Sequence, residues 1–281
     1  MAVNHVAPAK LLRGFGRASK QVLVESLHEF KARPAMRRLH ATAAERAAWR
    51  QLDSDGIAVI EGYWSRERAF VVRDKLAEYA SVTDDREFDN GAYLTVWDED
   101  HPKRSEQPKE DRGITRIYHV DKIATELESF RFDSFVLNVA SAYYRVPMYS
   151  GLLQFQYNRG DTSETRSYHI DAFEKEFKAF LYLDDVDNDN GPFTYIKRTH
   201  RATALRLKKQ IKGNRTAPPT SFSVADVKNL LAQEARITGP AGTLILADVR
   251  GLHRGSPQKA APRSVLVNYL YESPGERRPG R

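Results

Sequence analysis

Leu152-Leu153-Gln154-Phe155-Gln156-Tyr157-Asn158 alternates apolar side chains with amides. A period of two is that of a β-strand, whose successive side chains point to opposite faces. Leu153, Phe155 and Tyr157 then face a core, while Gln154, Gln156 and Asn158 form a row on the other face. A solvent-facing row would carry Lys, Glu or Thr. Three amides in succession predict the lining of a polar cavity.

The same kind of segment recurs after Pro147, in FKAFLYLDDV, PFTYIK, ARITG, GTLILAD and SVLVNYLYE. Gly, Pro, Asn and Asp clusters separate these runs. Short strands with turns and no regular helices between them predict a sandwich or barrel. Upstream the pattern differs. DGIAVIEGYW predicts a short buried strand over 57–60, and SRERAFVVRDKLAEYA a helix capped by Ser65. Residues 83–112 are polar and predict a long loop or lid, followed by a helix over 126–144.

The chain has 281 residues and a net charge of +7, unevenly placed. Residues 1–50 hold ten Lys/Arg against three Glu, a surplus equal to the whole net charge. This gives a basic helical arm over 1–50, with Leu11, Leu12, Phe15, Val22, Leu27 and Phe30 at helical spacing, and a neutral domain over 51–281. Such an arm either packs its apolar stripe on the body or makes peripheral contact with an anionic membrane. A neutral body argues against a nucleic-acid partner. There is no cysteine, which excludes disulfides and thiolate ligands. No run reaches the roughly 18 apolar residues of a membrane span, so a cytoplasmic protein is expected.

Ser167-Tyr168-His169-Ile170-Asp171 places an imidazole and a carboxylate two residues apart, on one face of a strand. LILADVRGLHRGSPQ brings a second imidazole, His253, at a strand end, and Arg263 comes after it. Two imidazoles and one carboxylate suit the facial triad that holds non-haem Fe(II) with open positions. A second HxD, His119 and Asp121, precedes a helical pattern and is a poor ligand pair. DDVDNDNG lacks the turn glycine and terminal Glu of a calcium loop and predicts a hairpin turn.

These motifs, with DGIAVIEGYWSRE and DNGPFTYIKRTHR, resemble the phytanoyl-CoA dioxygenase family of Fe(II)- and 2-oxoglutarate-dependent oxygenases over most of the chain after residue 50. The resemblance implies a double-stranded β-helix (jelly-roll, cupin-like) core with N-terminal helices packed on it. It implies His169, Asp171 and His253 as iron ligands and Arg263 as the clamp on 2-oxoglutarate, with Lys178 the alternative cation. Gln154 and Asn158 match positions that contact substrate or co-substrate. Gln156, Lys197 and Arg198 are further candidates for substrate contact, and Lys197-Arg198-Thr199-His200 departs from the family's Pro-Gly-Ser-His. The implied reaction consumes 2-oxoglutarate and O2, releases succinate and CO2, and hydroxylates a small or carrier- or lipid-linked, anionic metabolite. The alternative is a non-catalytic metal- or ligand-binding protein of the same fold.

Overall fold

The computed structural model describes residues 41–80, 86–88, 92–97, 114–158, 167–201, 205, 220–256, 258 and 261–275. Residues 1–40 of the arm expected over 1–50, and most of the polar stretch 83–112, lie outside them. The elements are α1 (Ala43–Asp55), β1 (Ile57–Ile60), α2 (Arg66–Ala80), β2 (Arg86–Glu87), β3 (Tyr93–Trp97), β4 (Ile114–Tyr118), α3 (Glu128–Arg131) and α4 (Ser134–Tyr144). After them come β5 (Tyr149–Asn158), β6 (Tyr168–His169), β7 (Glu176–Tyr182), β8 (Phe193–Ile196), β9 (Ser221–Phe222) and α5 (Val224–Val227). The chain closes with β10 (Glu234–Ile237), β11 (Leu244–Asp248), β12 (His253–Gly255) and β13 (Arg263–Tyr271). Among the described residues, one sheet has the order β1-β11-β7-β13-β5-β4-β3-β2 and the other β10-β8-β12-β6-β9.

Local chemistry accounts for the helix ends. Thr42 and Glu45 cap α1 reciprocally: Thr42 Oγ1 accepts from the Glu45 N–H at 3.1 Å, and Glu45 Oε2 from the Thr42 N–H at 2.6 Å. Gly56, at φ +81°, ends α1 with its N–H on Leu52 O. Ser65 caps α2 as expected, its Oγ accepting from the Arg68 N–H at 3.2 Å. Position 50, where the charge pattern ends the arm, falls inside α1, whose Ala48 and Leu52 are part of the core. The Thr42-x-x-Glu45 pattern was the available signal for this start.

Two expectations need correction. Residues 83–112 are not loop throughout, because β2 and β3 lie within them, and β3 extends the larger sheet by pairing with β4. The helix expected over 126–144 is broken at Phe132 and restarts at Ser134, where Asp133 Oδ1 accepts from the Val136 N–H. An Asx cap inside an apolar run competes with continuation of the helix.

The period of two in β5 sorts its side chains as expected. Leu153 and Phe155 pack with α4 residues Val136, Val139 and Ala140, together with Leu181, Leu246 and Leu266, between helices and larger sheet. The opposite face of that sheet meets the smaller one through Tyr182, Phe193, Tyr195, Ile245, Val265 and Val267. Gln154, Gln156 and Asn158 stand opposite Val267, Val265 and Arg263 on β13, so the amide row faces the space between the sheets.

Gly242 joins this core to the N-terminal elements. It sits at φ +89°, its carbonyl accepts from the Trp64 N–H at 3.1 Å, and an added Cβ would lie 2.1 Å from Trp64 O. Gly242→Ala combines positive-φ strain with a backbone clash and is expected to cost about 2–4 kcal/mol. Urea unfolding checks this, and an unchanged midpoint refutes it.

Candidate metal centre

Each proposed ligand is aimed by the backbone beside it. Tyr168 and Ile170 bury into a small cluster with Phe222, Val227 and Leu252, which leaves His169 and Asp171 on the other face. β12 pairs with both β6 and β8, so His253 stands opposite His169 on one side and Tyr195 on the other. The ligand atoms of His169, Asp171 and His253 lie within 4.8 Å of one another. His169 Nε2 is 3.7 Å from Asp171 Oδ1, and His253 Nε2 is 3.4 Å from Asp171 Oδ2. His169 Nδ1 meets Ser167 O at 3.0 Å and His253 Nδ1 meets Gly251 O at 2.9 Å. Such carbonyls take the Nδ1 proton and leave Nε2 as the inward lone pair.

The electrostatics suit a cation. Burial, then His253, push the His169 imidazole down to about 4, so it is neutral near pH 7. Burial alone would raise Asp171. The Lys178 ammonium, with its Nζ at 2.7 Å from Oδ2, and then His253 hold it well below the usual carboxylate range. A neutral imidazole and an ionised carboxylate are the forms that ligate. Phe193 lies 5.4 Å from the His253 ring and Tyr195 stacks on it at 6.5 Å, forming an aromatic wall.

Arg263 lies at the start of β13, in register with Asn158. Its guanidinium is buried, Nη1 donates to Gly191 O, and Nε has no hydrogen-bond partner. Asp184, which acts on it electrostatically, is committed to Arg73 and the Ser264 N–H. A buried guanidinium with a free donor calls for a carboxylate. Asn158 belongs to a directional chain. Tyr269 OH donates to Gln154 Oε1 (3.1 Å), Gln154 Nε2 to Gln156 Oε1 (3.3 Å), and Gln156 Nε2 to Asn158 Oδ1 (2.7 Å).

Solved structures share this architecture at low identity. The epimerase SnoN in complex with Fe3+, alpha ketoglutarate and nogalamycin RO matches with a TM-score of 0.61 and 12% identity, over 82% of this chain and 84% of that one. EctD from S. alaskensis with 2-oxoglutarate and 5-hydroxyectoine matches at 0.56 and 18%, over 82% and 76%. AviO1 from Streptomyces viridochromogenes Tue57 matches at 0.53 and 15%, over 85% and 100%. The fold is a double-stranded β-helix. No protein-family model and no curated protein matches the sequence.

Other candidates have partners outside the ligand cluster. Lys197 Nζ pairs with Asp55 at 2.9 Å, the Arg198 N–H donates to Asp55 O, and Arg201 Nη2 donates to Asp53 O. The Lys197 and Arg201 side chains thus lie at the C-terminal end of α1, where the helix dipole favours positive charge. His119 is buried on a left-handed backbone, and Asp121 pairs with Arg131 at 2.6 Å. Neither belongs to the ligand cluster. The acidic turn is structural: Asp185 accepts from the Ala241 N–H, and Asp187 from the N–H groups of Asp189 and Asn190.

Sequence reasoning missed the brace behind His253. Asp248 is fully buried and takes Arg250 through Nε at 3.0 Å and Nη2 at 2.7 Å, with Tyr143 OH at 2.9 Å. Its own carbonyl accepts from Tyr195 OH at 2.8 Å. This fixes the turn whose Val249 carbonyl accepts from the Asp171 N–H and whose Gly251 carbonyl meets His253. The pair was legible as D-x-R at a strand end, but its burial was not.

Burial would raise Asp248, yet the Arg250 guanidinium brings it down to about 2. A folded value below the unfolded one means that the unfolded chain takes up the proton first as pH falls. The resulting stability, about 2 kcal/mol, is present above pH ~4 and is lost between about 4 and 2. Asp248→Asn should therefore be destabilised at neutral pH, and its gap from wild type in urea unfolding should narrow below pH ~4. A gap constant with pH refutes the assignment.

Proposed function

We propose that the protein is an Fe(II)- and 2-oxoglutarate-dependent oxygenase, allied to the phytanoyl-CoA dioxygenase family, that hydroxylates an unactivated C–H of a small metabolite. The observation that carries this is the convergence of His169, Asp171 and His253 in one β-helix with Arg263, a buried guanidinium lacking a carboxylate. When bound, iron would supply the coupling of O2 to the oxidative decarboxylation of 2-oxoglutarate, giving succinate, CO2 and an oxygen atom for the substrate.

His169, Asp171 and His253 would occupy one face of the metal and leave the other for exchangeable groups. Arg263 would take the distal carboxylate of 2-oxoglutarate, and the free amide donors of Asn158, opposite it in register, would orient that group. Phe193 and Tyr195 would keep water from the histidine side. Gln154, Gln156 and Tyr269 offer a polar wall suited to a substrate with hydroxyl or carbonyl groups. Lys197 is paired with Asp55 at α1, so the anionic character of the substrate and its carrier or lipid linkage rest on Arg198 and the arm's charge. No helix of the described residues is long and apolar enough to cross a membrane.

Supplied anaerobically with Fe(II) and 2-oxoglutarate, the protein should show the weak visible charge-transfer band of the chelate, and with O2 and substrate it should release succinate. Asp171→Ala and His253→Ala should abolish the band and His119→Ala should leave it. A normal band in Asp171→Ala sinks the proposal. Arg263→Leu should weaken 2-oxoglutarate at least about tenfold, the scale of a lost desolvated charge pair, while metal binding persists. Unchanged 2-oxoglutarate dependence would remove Arg263 from the site.

A further inference from the structure

Lys178 is an unusual residue for its place. The side chains of Glu176, Lys178, Phe180 and Tyr182 on β7 stand opposite Tyr271, Tyr269, Val267 and Val265 on β13, facing the space between the sheets. At this position a buried ammonium pays a desolvation penalty and lies close to where a divalent cation would be held. Its surroundings nevertheless fix it from three sides. Nζ is 2.7 Å from Asp171 Oδ2, 3.8 Å from Glu176 Oε1 and 4.2 Å from the centre of the Tyr269 ring. Tyr269 is itself anchored, through its hydroxyl, on Gln154.

The two oxygens of Asp171 are thereby distinguished. Oδ1 is the oxygen nearer His169, whereas Oδ2 is the one nearer both His253 and the ammonium. A carboxylate on a short side chain can turn about its last bond and give a metal one oxygen or two. The attraction of an ammonium 2.7 Å from one oxygen, an ion pair without hydrogen-bond geometry, resists that turn. We propose that Lys178 is a positioning residue of the metal centre: its ammonium holds the Asp171 carboxylate in one orientation, so that Asp171 gives the metal a single oxygen, and the Tyr269 ring holds Lys178. This rests on the metal-centre reading above. It implies that the number of open metal positions is set by a residue that is not a ligand.

Charge and geometry predict opposite signs, which makes the test decisive. If Lys178 were only a buried counter-charge, its removal would relieve repulsion and tighten binding of a dication. If it positions Asp171, removal weakens binding and changes the coordination number. Wild type, Lys178→Met, Tyr269→Leu and Asp171→Ala are titrated with Co(II) without 2-oxoglutarate, reading both affinity and the visible ligand-field bands. Lys178→Met should lose at least about tenfold in affinity, the usual scale for a partner of a metal ligand, with altered band intensity. Tyr269→Leu, which loosens Lys178 without removing it, should shift both readouts the same way by a smaller factor, and it carries the test if Lys178→Met does not fold. Wild-type or tighter affinity overturns the proposal, as does an unchanged spectrum, including when only the melting temperature falls. Wild type binding no better than Asp171→Ala would overturn the metal centre itself, a result distinct from any change at Lys178.

Discussion

Three side chains from two distant parts of the chain must aim one atom each at a common point, and backbone carbonyls enforce this. Ser167 O and Gly251 O hold the two imidazoles by Nδ1, and Val249 O holds the Asp171 N–H. Side-chain rotamers alone would leave each ring free to turn. The register of β12 against β6 and β8 brings these carbonyls together. Most of the remaining structure keeps that register: the larger sheet behind it, the helices covering that sheet, and the Asp248–Arg250 brace under the connecting turn.

The brace shows why a buried ion pair belongs in this fold. Such pairs rarely add net stability over apolar packing, but they define one geometry. Asp248 is locked by a two-nitrogen guanidinium contact and a tyrosine hydroxyl, and the turn after it serves two ligands at once. An apolar residue there would fill the space without fixing the direction of the Val249 and Gly251 carbonyls.

Inside the β-helix, polar groups are arranged in order along β5 and β13. Arg263 and Asn158 share one register position, the amides donate hydrogen bonds in one sense toward Asn158, and Tyr269 begins the row beside Lys178. Two cations of the site are in different circumstances. Arg263 has a donor to offer, whereas Lys178 is committed to Asp171. This difference separates a residue suited to hold a free carboxylate from one suited to hold a ligand.

The sequence by itself determined whatever depends on near neighbours. The alternation in 152–158, the His169–Asp171 pair on one strand face, the Ser65 cap and strands β5, β7, β8, β10, β11 and β13 were legible because periods and caps are local. So was the weakness of His119, since the residues after it coil rather than pair. Tertiary structure decided which charges meet. Lys197 was a candidate for substrate contact, and it pairs with Asp55 at the end of α1; Lys178 was the alternative clamp for 2-oxoglutarate, and it lies on Asp171. The strand inside 83–112 became one only by pairing with β4. Ion pairs and edge strands depend on partners remote in the chain, and a remote partner leaves no trace in local spacing.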